Sequence, residues 1–364
     1  MNGPSGSPVA YPERLSPWRR RLIGGYLELR VIPVLLWSFS AITLGTALAW
    51  NDAAGAPGWY AVALVIGLLL QGAVAHTIND VTDWRSGTDR DPAPRILSGG
   101  SKVVLAGLLT ERELSWMGTV AGLLAIVLGV IAAAFQGWWL LAFGAAGMVG
   151  AVVYTLPPVR AAYVPFAGEA IAFTCIVACT VGAFALQRGD VSAGVVLLGA
   201  AHAAYCVAML MLHHYLDRGP DVRAKPPKRT SVVLLGGAGR RYGLLWAVAA
   251  AVLSVAATIL VNARIVPLAV AAVAGVVVHA TVRMDEPKSV TQAEAIVIGA
   301  GIAGAITTAI LLAPAIAWIL LVPAVLVPVE LMISRRWLPG PGSDDHGTPH
   351  GGPPSLDPHS PMRA

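Results

Sequence analysis

Apolar runs long enough to cross a lipid bilayer recur along most of this chain, and no other feature limits its possible folds as strongly. The chain is 56% hydrophobic and only 12% charged, a composition that excludes an ordinary soluble protein and indicates a polytopic membrane protein. We predict membrane spans at residues 31–50, 59–78, 115–135, 137–156, 167–186, 193–215, 243–262, 264–281, 295–313 and 314–333.

The number of spans depends on how Pro314 is interpreted. This proline could bend one long helix over residues 295–333, which gives nine spans, or it could separate two helices, which gives ten. Ten spans would place Arg335 and Arg336 on the same face as most of the other cations, so the charge distribution favours ten. The sequence therefore predicts an all-α polytopic membrane protein with nine or ten transmembrane helices.

Lysine and arginine residues are concentrated on one face of the predicted bundle. They cluster within residues 14–30, 85–112 and 218–241, segments that an alternating path places on one side of the membrane. Positive residues favour the cytoplasmic side, so we expect a protein of the cell membrane with a cytoplasmic N-terminus and cytoplasmic Asp-rich segments. The net charge of +5 therefore reports orientation, and it gives no reason to expect a nucleic acid partner.

The spans also define the expected domain limits. Residues 22–336 are predicted to form one transmembrane domain, preceded by an N-terminal cytoplasmic tail at residues 1–21. Residues 337–364 are rich in Gly, Pro and Ser and contain no long apolar run, a composition that cannot bury a core. We expect this C-terminal tail to be disordered.

The stretch NDVTDWRSGTD, residues 79–89, concentrates carboxylates at the end of the second span, where charge close to hydrocarbon is costly. If the helix continues through Asp83, then His76, Asn79 and Asp83 share one face, and Asp89 follows on a loop. Oxygen donors spaced in this way suit a hard cation such as Mg²⁺. Helix caps and solvated loop residues at a membrane surface explain the same pattern, so this stretch alone leaves both interpretations open.

A second acidic stretch, DRGPDVRAKPPKRT at residues 217–230, ends the sixth span. His213, Asp217 and Asp221 are spaced i, i+4, i+8, although Pro220 is expected to end the helix before Asp221. Four spans separate the two acidic stretches, so both are predicted on one side of the membrane, each followed by basic residues. Together they would fit a diphosphate held through Mg²⁺ by the carboxylates and directly by Arg and Lys.

Three parts of the chain carry a resemblance to a known family. They are NDVTDWRSGTD (79–89) with the following RILSGGSKVVLAGLLT (95–110), YTLPPVRAAYVPFAGEA (154–170), and DRGPDVRAKPPKRT (217–230). The chain resembles the UbiA superfamily of intramembrane prenyltransferases, and most of all its MenA branch, the 1,4-dihydroxy-2-naphthoate polyprenyltransferases. The Asn-Asp-x-x-Asp opening and the Tyr-Thr-x-Pro-Pro stretch are specific when they occur together.

This resemblance implies helices bundled around a central chamber within the lipid bilayer. It also implies Mg²⁺-dependent transfer of a polyisoprenyl group from a polyprenyl diphosphate to an aromatic acceptor, 1,4-dihydroxy-2-naphthoate in menaquinone biosynthesis. Such chemistry suits a membrane enzyme, because an allylic diphosphate ionises when metals and basic residues neutralise the leaving group. The carbocation that forms must then be kept away from water.

The resemblance also assigns metal ligands, residue by residue. Asn79, Asp83 and Asp89 would hold one Mg²⁺ ion, and Asp217 and Asp221 would hold a second. Asp83 and Asp217 are accordingly expected to be catalytic, and replacing either with Asn should nearly abolish turnover.

Basic residues are expected to contact the prenyl diphosphate directly. By the same resemblance these are Arg95 and Lys102, together with Lys228 or Arg229. Tyr154 matches a position that lines the family's chamber and is expected to contribute to catalysis by positioning substrate.

The second motif departs from the family pattern. His213 and His214 stand where the family has an Asn-rich approach, Leu216 replaces an Arg before Asp217, and Pro227 replaces a Gly before the lysine. The acid spacing survives, which favours metal and diphosphate binding over any particular acceptor. The two histidines could act on a hydroxyl proton of the acceptor, or they could only pack between helices.

Two other functions are compatible with the sequence. A UbiA-type terpene synthase or cyclase would use the same metal site but capture the carbocation within its own chain, without an aromatic acceptor. A membrane transporter is the third hypothesis, and the absence of acidic residues deep within the predicted spans argues against it.

Overall fold

The computed structural model describes residues 15–51, 55–90 and 100–338, and all regular structure within them is helical. Ten of these helices are long and apolar enough to cross a membrane, which confirms the predicted all-α fold. They are α1 (Pro17–Trp50), α2 (Pro57–Ser86), α3 (Glu111–Gln136), α4 (Trp138–Thr155), α5 (Ala167–Arg188), α6 (Ala193–Arg223), α7 (Ser231–Leu260), α8 (Ala263–Thr281), α9 (Pro287–Leu312) and α10 (Pro314–Trp337).

Pro314 separates two helices and does not bend one. Helix α9 ends at Leu312, and Ala313 has an extended backbone, with φ −138° and ψ 90°. The residue before a proline avoids the helical region, because the proline ring collides with its backbone. Pro314 then starts α10 at a position where its missing N–H costs no hydrogen bond. The described residues therefore contain ten spans, the alternative that the charge distribution favours.

Helix α1 is interrupted near the face that carries the basic residues. It begins at Pro17, inside the segment predicted as a tail, and its regular α-helical turn ends at Glu28. Arg30 then takes a left-handed conformation with φ 49°, and the helix resumes at Val31. The backbone N–H of Ile32 donates to Glu330 Oε2 at 2.9 Å, so α10 supports the break. The predicted C-terminal tail lies outside the described residues, except for its first two positions.

Helices α1 and α6 form the centre of the bundle, and most of their residues are buried. The outward faces of the surrounding helices expose large apolar side chains, such as Leu123 and Phe135 on α3 and Ile259 on α7. Continuous apolar surfaces of this kind mark contact with lipid. Small residues let the inner helices approach closely: Gly45 of α1 lies against the backbone of Thr180 on α5, where a Cβ atom would have no space.

A central chamber of about 720 Å³ lies among α1 to α6 and α9. Its walls are mostly apolar, with Trp37, Phe143 and Met209 among the lining residues. The polar lining residues gather toward the end where α2 and α6 finish. The chamber that the sequence resemblance implied is therefore present, and its polar end is where the acidic segments lie.

We predict that Gly45→Ala destabilises the bundle by about 1–3 kcal/mol, because the added methyl group would overlap the backbone carbonyl oxygen of Thr180 and force α1 away from α5. Gly299→Ala is the matched control, since a Cβ atom there meets nothing within 4 Å. Thermal unfolding in detergent measures both variants. Equal melting temperatures for Gly45→Ala and the wild type would show that the two helices do not pack through this glycine.

Candidate active site

The two acidic segments meet at one end of the chamber, as the even number of intervening spans predicts. The backbone N–H of Lys225, after α6, donates to the carbonyl oxygen of Ser86 at the end of α2, at 2.9 Å. Lys228 Nζ donates to Asp83 Oδ2 at 2.8 Å. The segments are 145 residues apart in sequence at this contact, and these two bonds hold them together.

Asp83, in the first acidic segment, accepts hydrogen bonds from three other side chains. Its Oδ2 atom accepts from Asn79 Nδ2 at 2.8 Å as well as from Lys228, and its Oδ1 atom accepts from the Tyr163 hydroxyl at 2.8 Å. The carboxylate is only 4% exposed, so each donor offsets part of the cost of burying its charge. Three donors from three parts of the chain therefore fix the position of Asp83.

Lys228 carries the balancing charge. Burial by itself would lower the pKa of this lysine, but the carboxylates of Asp83 and Asp221 raise its pKa well above the ordinary value. A raised lysine pKa keeps the ammonium group protonated at neutral pH. Burial also raises the pKa of Tyr163, and the negative charge of Asp83 raises it further, so its hydroxyl stays a hydrogen-bond donor.

Asp89 is buried close to two other carboxylates, those of Asp83 and Asp80. Burial is the largest cause of its raised pKa, followed by the charges of Asp83 and Asp80. Gly100 packs directly against the carboxylate of Asp89, and it has a φ of +71°, a conformation that glycine adopts without strain. A side chain at this position would occupy the space beside the carboxylate.

Asp80 belongs to a separate contact behind the chamber wall. Its Oδ2 atom accepts from the backbone N–H of Ser101 at 2.8 Å, and the Ser101 hydroxyl lies 2.6 Å from Glu28 Oε2. Both carboxylates are buried. This contact attaches the segment that begins at Gly100 to α1 and α2, so Asp80 has a structural position in the motif and does not line the chamber.

The chamber wall gathers six of the residues that the sequence singled out. They are Asn79, Asp83, Asp89, Tyr154, Asp217 and Lys228. Of the two basic candidates that follow α6, the structure therefore brings Lys228 to the chamber and leaves Arg229 exposed at the surface.

Three other candidates lie elsewhere. Asp221 is buried behind the wall, where its backbone oxygen accepts from the N–H of Lys228 at 2.9 Å. Lys102 follows Ser101, half-buried and outside the chamber lining. Arg95 lies outside the described residues.

The prediction that Pro220 ends the sixth helix before Asp221 is wrong. Helix α6 continues through Pro220 to Arg223. A proline costs one internal hydrogen bond, but the following turn is completed when the N–H of Ala224 donates to the carbonyl oxygen of Pro220 at 3.0 Å. Asp217 and Asp221 are therefore one helical turn apart on one helix, as their spacing of four residues alone indicates.

Sequence reasoning missed two side chains at the site. Tyr163 lies in the connection between α4 and α5 and carries no pattern that would predict its contact with Asp83. Glu294 of α9 lines the chamber and bonds to His213, which has a nitrogen 2.9 Å from Glu294 Oε1. A single carboxylate at the border of an apolar span was the available signal for Glu294, because such a charge is costly unless it has a function or a partner.

The donor set is suited to a hard divalent cation. The carboxylates and the Asn79 amide offer oxygen atoms, which Mg²⁺ prefers. Among the described residues, no three His, Cys, Asp or Glu side chains converge closely enough to hold a metal as they stand. Asp83 instead has the ammonium group of Lys228 as its cationic partner.

The chain is similar to a known protein family over the region that contains most of the chamber wall. The model of the UbiA prenyltransferase family matches residues 38–297. A UbiA homologue from Archaeoglobus fulgidus bound to GPP and Mg²⁺ has a TM-score of 0.57 and 13% sequence identity, and the match covers 77% of this chain and 99% of that one. The same homologue bound to DMAPP and Mg²⁺ has a TM-score of 0.56 and 13% identity, covering 77% and 98%.

A digeranylgeranylglyceryl phosphate synthase is similar at the same level, with a TM-score of 0.50, 16% identity and coverage of 77% of this chain and 97% of that one. At these identities the likeness concerns the fold. No curated protein matches the sequence significantly.

We predict that Lys228→Met lowers the free energy of unfolding by roughly 1–3 kcal/mol, because it leaves the buried Asp83 carboxylate without its cationic partner. Arg229→Met removes an exposed cation from the next position and should change stability by less than about 0.5 kcal/mol. Chemical denaturation in detergent compares the two variants. A loss of equal size in both would mean that Lys228 stabilises the fold no more than a surface charge does.

Proposed function

Because the chain belongs to the UbiA prenyltransferase family, we propose that it transfers a polyisoprenyl group from its diphosphate to an aromatic acceptor, with 1,4-dihydroxy-2-naphthoate as the first candidate. The observation that carries this proposal is the meeting of Asp83, Asp217 and Lys228 at the polar end of an apolar chamber. The acidic and basic groups suit a diphosphate, and the apolar walls suit its hydrocarbon chain.

The diphosphate would bind where the two acidic segments meet. Asn79, Asp83 and Asp89 would hold one Mg²⁺ ion, and Asp217 and Asp221 would hold a second. When bound, Mg²⁺ supplies positive charge that neutralises the departing diphosphate. The UbiA homologue from Archaeoglobus fulgidus binds GPP together with Mg²⁺, and this supports the assignment.

Lys228 would contact the diphosphate directly. Its raised pKa keeps it cationic, and it already lies within the carboxylate cluster. As the bond between C1 of the prenyl group and the diphosphate oxygen breaks, the electron pair stays on the diphosphate and Lys228 stabilises the added charge. Because this cation is already in place before the reaction, the site needs little reorganisation to stabilise the charge that forms on the diphosphate.

The apolar chamber would protect the allylic carbocation from water until the acceptor reacts. A π-electron pair of the aromatic ring forms the new bond to C1 of the prenyl group. The attacked ring carbon then restores aromaticity by releasing its proton, or by releasing carbon dioxide if it is the carbon that carries the carboxylate. Tyr154, which lines the chamber on α4, would contact the prenyl group or the ring. The many apolar lining residues of α4 and α5 would accommodate the hydrocarbon chain.

The choice of acceptor rests on sequence. The stretch at residues 79–89 resembles the MenA branch, with its last Asp ten residues after Asn79. A terpene synthase or cyclase is the second candidate, and a specific observation favours it: His213, His214 and Leu216 depart from the family's second motif, and the two histidines line the chamber. Such an enzyme would release diphosphate without an aromatic acceptor.

We also propose a cell membrane location with the polar end of the chamber toward the cytoplasm. Basic side chains lie at this end of the bundle, among them Arg20, Arg85 and Arg240. The excess of Lys and Arg over the opposite end, where Arg188 and Arg264 lie, supports this orientation.

Membranes that contain the protein, Mg²⁺, geranylgeranyl diphosphate and 1,4-dihydroxy-2-naphthoate should yield a prenylated naphthohydroquinone, which mass spectrometry detects as such or as the naphthoquinone after oxidation by air. Asp83→Asn should lower the yield by roughly 100-fold or more, because it removes charge from the metal and diphosphate site. Asp190→Asn, at an exposed position on the opposite side of the bundle, is the control and should retain activity.

Wild-type activity in Asp83→Asn would contradict the metal assignment. A terpene formed without acceptor, together with diphosphate release, would instead identify the protein as a terpene synthase or cyclase.

Cysteine labelling tests the orientation. After Cys175, Cys179 and Cys206 are replaced by serine, Asp190→Cys should react with a membrane-impermeant maleimide in intact cells, because the proposed topology exposes it outside. Gly237→Cys should react only after lysis. The reverse pattern would place the polar end of the chamber outside the cell.

A further inference from the structure

His213 and Glu294 form a second polar site in the chamber, separate from the carboxylates that would hold metal. His213 Nδ1 lies 2.9 Å from Glu294 Oε1, and both side chains line the chamber. His213 is one helical turn, about 6 Å, deeper in the bundle than Asp217 on the same helix. Glu294 lies on α9, seven residues or about 10 Å from the first residue of that helix.

One oxygen of Glu294 has no hydrogen-bond partner in the part of the chain that the structure describes. The side chain is 1% exposed, and Oε2 is buried without a hydrogen bond among the described residues, whereas Oε1 is bonded to His213. Leaving a buried carboxylate oxygen unpaired is costly, so this atom favours an occupant of the chamber that can donate a hydrogen bond. The contact between His213 Nδ1 and Glu294 Oε1 holds the Glu294 side chain in place, and a carboxylate oxygen there accepts the hydrogen bond.

The Glu294 carboxylate favours binding of the aromatic acceptor over binding of the prenyl diphosphate. An ionised diphosphate offers only acceptor oxygens and negative charge, so the carboxylate repels it. A polyprenyl chain is a hydrocarbon and cannot donate. Of the two organic substrates in the proposed reaction, only the aromatic acceptor has a group, its hydroxyl, that can donate a hydrogen bond to Oε2.

The surroundings suit an aromatic ring. Met209 and Leu210 lie one turn before His213 on α6, Ile298 lies one turn after Glu294 on α9, and all three line the chamber. Apolar walls beside a few placed polar groups are the usual construction of a site for a small aromatic ligand. His213 also has its second nitrogen, Nε2, 3.5 Å from Asp217 Oδ2, so the pair is adjacent to the diphosphate site.

We propose that Glu294, positioned by His213, binds the aromatic acceptor by accepting a hydrogen bond from one of its hydroxyl groups. The proposal rests on the proposed function and names the site of its second substrate. Bonding to a carboxylate also increases the electron density of a phenolic ring, which favours attack on an allylic carbocation. His213 is a positioning residue in this arrangement, and Glu294 is the residue that contacts substrate.

The test compares Glu294→Gln with the wild type by steady-state kinetics. The variant should raise the KM for 1,4-dihydroxy-2-naphthoate by roughly 10- to 100-fold, the range expected for a lost hydrogen bond to a charged group, and leave the KM for geranylgeranyl diphosphate unchanged. Glu286→Gln is the matched control, because Glu286 directly precedes the same helix but is exposed and paired with Arg283. This control should leave both KM values unchanged.

An acceptor analogue provides the independent check. Methylation of the hydroxyl that bonds to Glu294 should weaken the acceptor for the wild type by the same factor, with little further loss in Glu294→Gln. Thermal-shift measurements of the binding of the two acceptors, made without Mg²⁺, should show the same difference in affinity. It also provides a readout for Glu294→Asp, a shorter carboxylate, if Glu294→Gln does not fold.

An unchanged acceptor KM in Glu294→Gln overturns this proposal and leaves the proposed function standing. An equal rise in both KM values also overturns it, because it would show a general structural role. A wild-type enzyme that makes no prenylated aromatic product overturns the proposed function itself, and the acceptor site with it.

Discussion

The contact of Lys228 with Asp83 joins the two halves of the site, and the arrangement of the polar end of the chamber depends on it. The contact spans 145 residues of sequence and places a buried ammonium group among carboxylates that would otherwise repel one another. Asn79 and Tyr163 complete the hydrogen bonding of Asp83. The lysine therefore supplies, within the protein alone, part of the positive charge that the proposed diphosphate site requires.

One end of the chamber is charged, and the rest of its wall is apolar. Its polar end gathers charge that can bind a diphosphate and cations, and the remaining walls are apolar and suit hydrocarbon. His213 lies at the boundary, between Asp217 on one side and Glu294 on the other. Membership of the UbiA prenyltransferase family agrees with this division.

Much of the fold and part of the site could be predicted from the sequence. The apolar runs correspond to helices, and the parity of the spans placed both acidic segments on one side, because a chain that crosses a membrane an even number of times returns to the same face. The spacing of Asn79 and Asp83 placed both on the chamber wall. The helix boundary at Pro220 was predicted wrongly, since tertiary contacts and a completed turn outweighed the local cost of the proline.

By itself, the sequence determined that the chain forms membrane-spanning helices and that its carboxylates collect at one face, because hydrophobicity and charge act locally along each segment. Only the tertiary structure decided which charges meet. Lys228 and Arg229 are neighbours with similar charge, yet one lies in the chamber and the other at the surface. Glu294 faces His213 because α6 and α9 pack together, and no local pattern encodes the distance between two helices that are far apart in sequence.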